Sequence, residues 1–282
     1  MTRRSILQEV SCDGVALHAG SSVRARLLPA PAGAGVVFRR DDLGGREIRA
    51  LYDRVGETRL GTVISENGAS VAVIEHLMAA VAGAGVDDLI VVLDGPEPPI
   101  LDGDALSWLL LLERAGFRDQ PGTRGAIRIA RQVDVAQGGA TAALVPAEAL
   151  DFDFDISFPS TAIGTQRLLW AFSGEAFRRD IAPARTFGFV NELDALRGAG
   201  LARGASLENT LAIDGDTMVN PDLQRFSDEF VRHKILDAIG DLALAGVQII
   251  GRFVGRRSGH ALNNALLRAL LSDPVNYELI ET

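Results

Sequence analysis

One cysteine, one lysine, two tryptophans and two tyrosines in 282 residues leave whole classes of function without their usual parts. Cys12, being alone, excludes an internal disulfide and any zinc site built from several thiolates. No apolar run approaches the roughly 18 to 20 residues that a membrane-spanning helix needs, and the strongest, Trp108 to Leu112, is far shorter. The basic residues of MTRRSILQEVSCDG are not followed by an apolar core of about 7 or more residues, so no secretory signal is read and a cytoplasmic location is expected. Positive charge is scarce too: 28 Lys plus Arg against 37 Asp plus Glu give a net charge of −9, which argues against non-specific nucleic-acid binding. No G-x-S-x-G is present to form a nucleophile elbow. Gly198, Gly200 and Gly204 imitate a dinucleotide loop, but its third glycine would fall on Arg203.

What is present is a globular composition, 47% hydrophobic and long enough for about two domains. QPGTRG, from Gln120 to Gly125, reads as a linker between them, which gives expected domains 1–122 and 123–282. Before it, Val71 to Ala84 and Asp104 to Arg114 read as helices around a buried strand, Asp88 to Leu93. After it come strands near Ile127 to Val133, Ala140 to Val145 and Leu150 to Phe158, then a Gly-rich excursion. Helix Asp228 to Leu244, strand Val247 to Val254 and helix His260 to Leu271 close the chain. Ala84-Gly85-Val86 leads into one strand and Ala245-Gly246-Val247 into another, and Gly103-Asp104-Ala105-Leu106 matches Gly259-His260-Ala261-Leu262. This reads as a duplicated α/β unit in which His76 and Asp237 stand at equivalent positions, facing one site between the halves.

Four histidines, His18, His76, His233 and His260, make the search for chemistry short. His233 and Asp237 lie at i and i+4 on one helix, a spacing that serves a metal ion or a surface ion pair equally well. Glu75 and His76 sit in an apolar helical stretch, where an unpartnered carboxylate costs several kcal/mol. Two imidazoles and one carboxylate are the three-ligand set of a catalytic zinc, and also of an Fe(II) facial triad. An adjacent glutamate favours hydrolysis, because it can accept a proton from water that zinc has acidified to about 7. Lys234, kept where every other basic residue is arginine, points to a position that needs a compact ammonium. Cys12 has no partner that would make it a nucleophile.

DEFVRHKILDAIGDL (Asp228 to Leu242), IEHLMAAVAGAGVDDL (Ile74 to Leu89), ARTFGF (Ala184 to Phe189) and SGHALNNALLRALL (Ser258 to Leu271) resemble the UDP-3-O-acyl-N-acetylglucosamine deacetylases of bacterial lipid A synthesis. GVALHAG (Gly14 to Gly20) and GPEPPILDGDA (Gly95 to Ala105) extend the resemblance over nearly the whole chain. It implies an α+β fold of two similar domains, each with sheet layered on helix, and a zinc amidase site between them. It further implies His76, His233 and Asp237 as ligands of one Zn²⁺ per chain, with Fe²⁺ the alternative ion in the cell, and Glu75 as general base. His260 is then the catalytic histidine, oriented by Asp241, while Thr186 contacts the tetrahedral intermediate and Lys234 holds the substrate. His18 stays outside the catalytic set, since GVALHAG reads equally well as a turn between strands.

For the rest of the substrate, the resemblance sets Phe158 against uracil and gives Phe187 a substrate contact. Arg256 and Arg257 supply cations for the pyrophosphate, although relatives can carry lysine at the second position. The acyl chain threads an insert at about 184–213 that includes Leu193, Leu196 and Leu201. Ala205 and Thr210 depart there from the commoner residues and bear on chain-length preference. A monomer is expected, with no nucleic-acid partner. Peripheral membrane contact is left open, since no basic amphipathic helix announces it. A non-catalytic UDP-sugar or lipid-binding module is the competing reading, and it would tolerate loss of Glu75.

Overall fold

Alternation along Ser22–Pro29 turns Val23, Ala25 and Leu27 to a buried face and Arg24 toward solvent, the pattern of a strand packed on one side. In the computed structural model, which describes residues 2–281, that strand belongs to a five-stranded sheet. Its members are β1 (Val10–Val15), β2 (Ser22–Pro29), β3 (Val36–Arg40), β4 (Arg46–Arg49) and β5 (Leu89–Leu93), in the order β1-β2-β5-β3-β4. A second sheet holds β6 (Val133–Gln137), β7 (Ala140–Val145), β8 (Asp151–Ser157), β9 (Thr165–Ala171) and β10 (Arg252–Arg256), in the order β6-β7-β10-β8-β9. Strand directions match as well: β5 runs antiparallel to β2 and parallel to β3, just as β10 runs antiparallel to β7 and parallel to β8. The same unit is drawn twice, and the α+β class with two similar sheet-and-helix domains stands.

Helices cover the inner faces. α1 (Glu75–Ala84) and α2 (Leu106–Ala115) pack together, with Trp108, Leu109 and Leu112 of α2 buried in the core of the first sheet. α3 (Val190–Gly198) lies in the insert. α4 (Glu229–Ala243) and α5 (His260–Leu271) lie against the second sheet, where Leu262, Leu266, Leu267 and Leu270 make one apolar stripe of α5 at helical spacing. Each such large side chain contributes about 1.5–3 kcal/mol on burial. The matched glycines have a physical reason: Gly85 (φ 65°) and Gly246 (φ 74°) both adopt the left-handed region just past α1 and α4, and both amides return to a helix carbonyl.

The two units meet where α1 crosses α4 at Gly240, whose Cβ, if it had one, would lie 2.0 Å from the carbonyl oxygen of Glu75. Only hydrogen fits there. Gly240→Ala is therefore expected to destabilise the fold by about 1–3 kcal/mol through overpacking, read as a lower urea midpoint; an unchanged midpoint would show that the helices can part freely.

Four segments depart from the sequence reading, and the first is the strand expected near Ile127 to Val133, which is two: Gly125–Ile129 and β6, in different sheets. Gln120 to Gly125 is not a loop: Phe117–Thr123 is a strand paired with Thr2–Ile6, and its Pro121 and Gly122 fall in a bulge between two register pairs. Proline is tolerated in such a two-stranded ribbon because one edge needs no donor. The strand expected over Val247 to Val254 breaks at Gly251 into Gln248–Ile250, which joins a three-stranded sheet with Gly125–Ile129 and Tyr277–Glu281, and β10. The helix expected from Val71 starts only at Glu75, because Ala69–Val71 is a strand and Val73 takes φ 56°. A β-branched residue in that region is strained, and it stands at the bend between the strand and α1. Among the described residues no helix is long and apolar enough to cross a membrane.

Candidate active site

Helix periodicity assembles the site. His233, Asp237 and Asp241 at i, i+4 and i+8 form one buried stripe of α4, and Lys234 stands beside it. Glu75 and His76 are the first two residues of α1, and His260 opens α5. The starts of α1 and α5 and the middle of α4 converge on a cleft of about 480 Å³ between the two units, lined also by Thr186, Phe187, Phe158 and Arg257.

Three donors face one another at its floor. His76 Nε2 and His233 Nε2 lie 3.7 and 3.4 Å from Asp237 Oδ1, and the two rings meet edge to face with centroids 4.9 Å apart. The Nδ1 of His233 donates to the Ala184 carbonyl at 3.1 Å, which leaves its Nε2 lone pair directed into the site. Burial pushes His76 down to about 3 and His233 in the same direction, so both imidazoles are neutral. Burial opposes the charge on Asp237, but the Lys234 ammonium and the His260 imidazolium outweigh it and hold the carboxyl below its usual range. The Lys234 ammonium donates to Asp237 Oδ2, leaving Oδ1 to the histidines. Among the described residues this is the one group of three His, Cys, Asp or Glu with ligand atoms converging, all within 4.8 Å of one another.

Two groups that both hold their protons more firmly than usual stand beside it. Burial raises Glu75 to about 7, and its Oε2 accepts the Thr62 amide at 2.9 Å. Burial would lower His260, but Asp241 and Glu75 overcome it and raise the imidazole to about 9. His260 Nδ1 contacts Asp241 Oδ2 at 2.9 Å, which leaves Nε2 toward Glu75 Oε1, 4.0 Å away. A buried carboxyl and a half-buried imidazole, with Glu75 Oε1 and His260 Nε2 4.0 Å apart, thus share one wall.

A family model described as UDP-3-O-acyl N-acetylglycosamine deacetylase matches residues 3–272. The chain belongs to that family. Among similar proteins bearing the name UDP-3-O-acyl-N-acetylglucosamine deacetylase, the one from Phenylobacterium zucineum is 49% identical over 93% of this chain and 90% of its own length. Those from Nitratiruptor sp. and Myxococcus xanthus are 43% and 44% identical, covering 100% and 99% of this chain and 94% and 89% of their own lengths. The deacetylase family is metal-dependent, and the donor set here fits such an ion: two neutral nitrogens and one carboxylate oxygen converge without a proton to share.

Other residues named from the sequence fall in different places in this family member. Thr186 is fixed by its amide to the Gly103 carbonyl at 2.8 Å, and the Leu211 amide donates to its carbonyl. Phe158 packs on Phe187 and Phe189, and Phe187 in turn on Phe230 and His233. Arg257 lines the cleft with its guanidinium on the Gly139 carbonyl, whereas Arg256 is held in the sheet by Asp153 and Asp155 and is not part of the lining. Leu193, Leu196 and Leu201 are half-buried in the insert and do not line this cleft. His18 bridges instead, with Nε2 on the Leu60 carbonyl and Nδ1 accepting the Ala202 amide. Burial raises the Cys12 thiol to about 11, which removes it as a nucleophile. Sequence reasoning missed Thr62 and Asn263, both bonded to Asp241. Asn263 lies one helical turn after His260, a signal that was present; Thr62, 13 residues before Glu75, carries none.

Proposed function

We propose that this protein hydrolyses the acetamide of UDP-3-O-(3-hydroxyacyl)-N-acetylglucosamine to acetate and the free amine, the deacetylation step of lipid A biosynthesis. The observation that carries this reading is the pairing of Glu75 with His260 across the His76, His233 and Asp237 donors, in a chain of the deacetylase family. His76, His233 and Asp237 would hold one Zn²⁺, with Fe²⁺ the alternative ion. When bound, the ion supplies Lewis acidity that acidifies water and polarises an amide carbonyl.

Glu75 accepts the proton of the attacking water. Its value of about 7 suits a base working near neutrality, and the Thr62 amide fixes its orientation. Protonated His260 gives the Nε2 proton to the departing amine, and Asp241 holds the imidazole in the orientation this requires. The Thr186 hydroxyl and the Lys234 ammonium, both on the cleft wall, stabilise charge developing on the acetamide oxygen and hold the sugar. Phe158 and Phe187 offer aromatic faces for uracil and sugar, and Arg257 a cation for the diphosphate, with Arg256 in a supporting place behind it. The insert at 184–213, with Leu193, Leu196 and Leu201, takes the acyl chain. The proposed domains are 1–122 and 123–282, and the chain acts as a monomer in the cytoplasm on a nucleotide-linked substrate.

The test is acetate release from that substrate by the purified protein across a pH series. Activity should fall on the acid side as Glu75 gains a proton, at or below about 7, and on the alkaline side as His260 loses its proton, at or below about 9, because a bound cation lowers both. No acetate at any pH from folded, metal-loaded protein would defeat the assignment.

A further inference from the structure

Thr62 belongs to the first unit and is 1% exposed, yet it touches both sides of the proton-transfer apparatus. Its amide donates to Glu75 Oε2 at 2.9 Å, and its hydroxyl donates to Asp241 Oδ1 at 2.5 Å. The same hydroxyl oxygen stands 3.3 Å from His260 Nδ1. A hydroxyl has one proton to give. With that proton on Asp241 Oδ1, the proton of His260 Nδ1 goes to Asp241 Oδ2, which also receives the Asn263 side-chain amide at 2.8 Å. Asn263 is itself held by the Ser258 hydroxyl at 2.8 Å. The Asp241 carboxylate is thus filled by three donors, two from α5 in its own unit and one from across the interface.

We propose that Thr62 is a positioning residue that locks base and acid into one frame across the interface between the two units: its amide aims Glu75 and its hydroxyl aims Asp241, and through Asp241 the His260 ring. This inference rests on the proposed roles of Glu75 and His260. Without the hydroxyl, Asp241 Oδ1 keeps no donor among the described residues, and a buried carboxylate oxygen left unpaired turns toward another partner. The imidazole bonded to its other oxygen turns with it. Thr62 binds no substrate in this arrangement, so its loss should appear in turnover and not in affinity.

Thr62→Val removes the hydroxyl while keeping the branched shape and the amide, and Thr62→Ser keeps the hydroxyl. In steady-state acetate release the valine variant should lose about 10- to 100-fold in kcat with KM within about twofold, the serine variant staying within about threefold of the parent. Metal content should stay at the parent level in both. A second readout does not need turnover: the His260 ring signals in proton–nitrogen NMR of histidine-labelled protein should move in the valine variant and hold in the serine variant. If the valine protein does not fold, Thr62→Ala takes its place with the same expectations. A valine or alanine variant with kcat within about twofold of the parent, or a serine variant as impaired as valine, overturns the proposal. If the parent itself releases no acetate, the functional reading fails, and the ring signals still decide whether Thr62 governs the Asp241–His260 pair.

Discussion

Glu75→Gln is expected to lower kcat by about 10²- to 10⁴-fold while metal content stays at the parent level. Glutamine keeps the shape and can still accept the Thr62 amide through its carbonyl oxygen, but it cannot take a proton from water. The donors on His76, His233 and Asp237 are untouched, so elemental analysis should find the same metal per chain. Stability should not fall, because the substitution replaces a carboxylate that burial already holds near 7 with a neutral group. Turnover at the parent rate would remove Glu75 from the role of base, and the binding-module reading would then gain ground.

Chelation is expected to abolish acetate release and to lower the melting temperature, with both restored by one equivalent of Zn²⁺. The three donors come from α1 on one unit and α4 on the other, so an ion held by them also ties the units together. An ion present at about 100 times its dissociation constant adds about 2.7 kcal/mol to the folded state. Because burial keeps His76 neutral down to about 3, its nitrogen stays available well below the pH at which an ordinary histidine is lost to protonation. Thermal scans with and without chelator, followed by return of Zn²⁺ or of Fe²⁺, separate a structural from a catalytic need. Full activity in metal-free protein would overturn the ligand assignment.

The helices α4 and α5 of the second unit were legible in the sequence because helix period and ligand spacing are local, whereas α3 was not read and α1 was begun four residues early. His260–Leu271 falls where the apolar period places it, and α4 differs from the expected span by one residue at each end. The i, i+4 spacing put His233 and Asp237 on one helix face but fitted an ion pair equally well, and the resemblance joined His76 to them as a ligand set. The losses occur where a side chain's fate depends on a partner far away in the chain. Gln120 to Gly125 looks like a linker until Thr2–Ile6 supplies the pairing edge. Arg256 and Arg257 look interchangeable, but β10 ends at Arg256, which Asp153 and Asp155 claim, while Arg257 leaves the strand at φ 54° and turns to the cleft. Thr62 meets Asp241 across 179 positions, and no local pattern announces such a pair.

The doubled sheet carries a consequence for descent. With Gly85 and Gly246 set opposite each other, Asp237 falls against His76, but Leu236 falls against Glu75, Val73 against Lys234 and Ala80 against Asp241. The copies kept a common frame and divided the chemistry between them. A symmetric pair of first halves would lack His260, the proposed acid, and a symmetric pair of second halves would lack Glu75, the proposed base. With the proposed roles, the chemistry lies on the seam between two like-folded units, and neither half carries it alone.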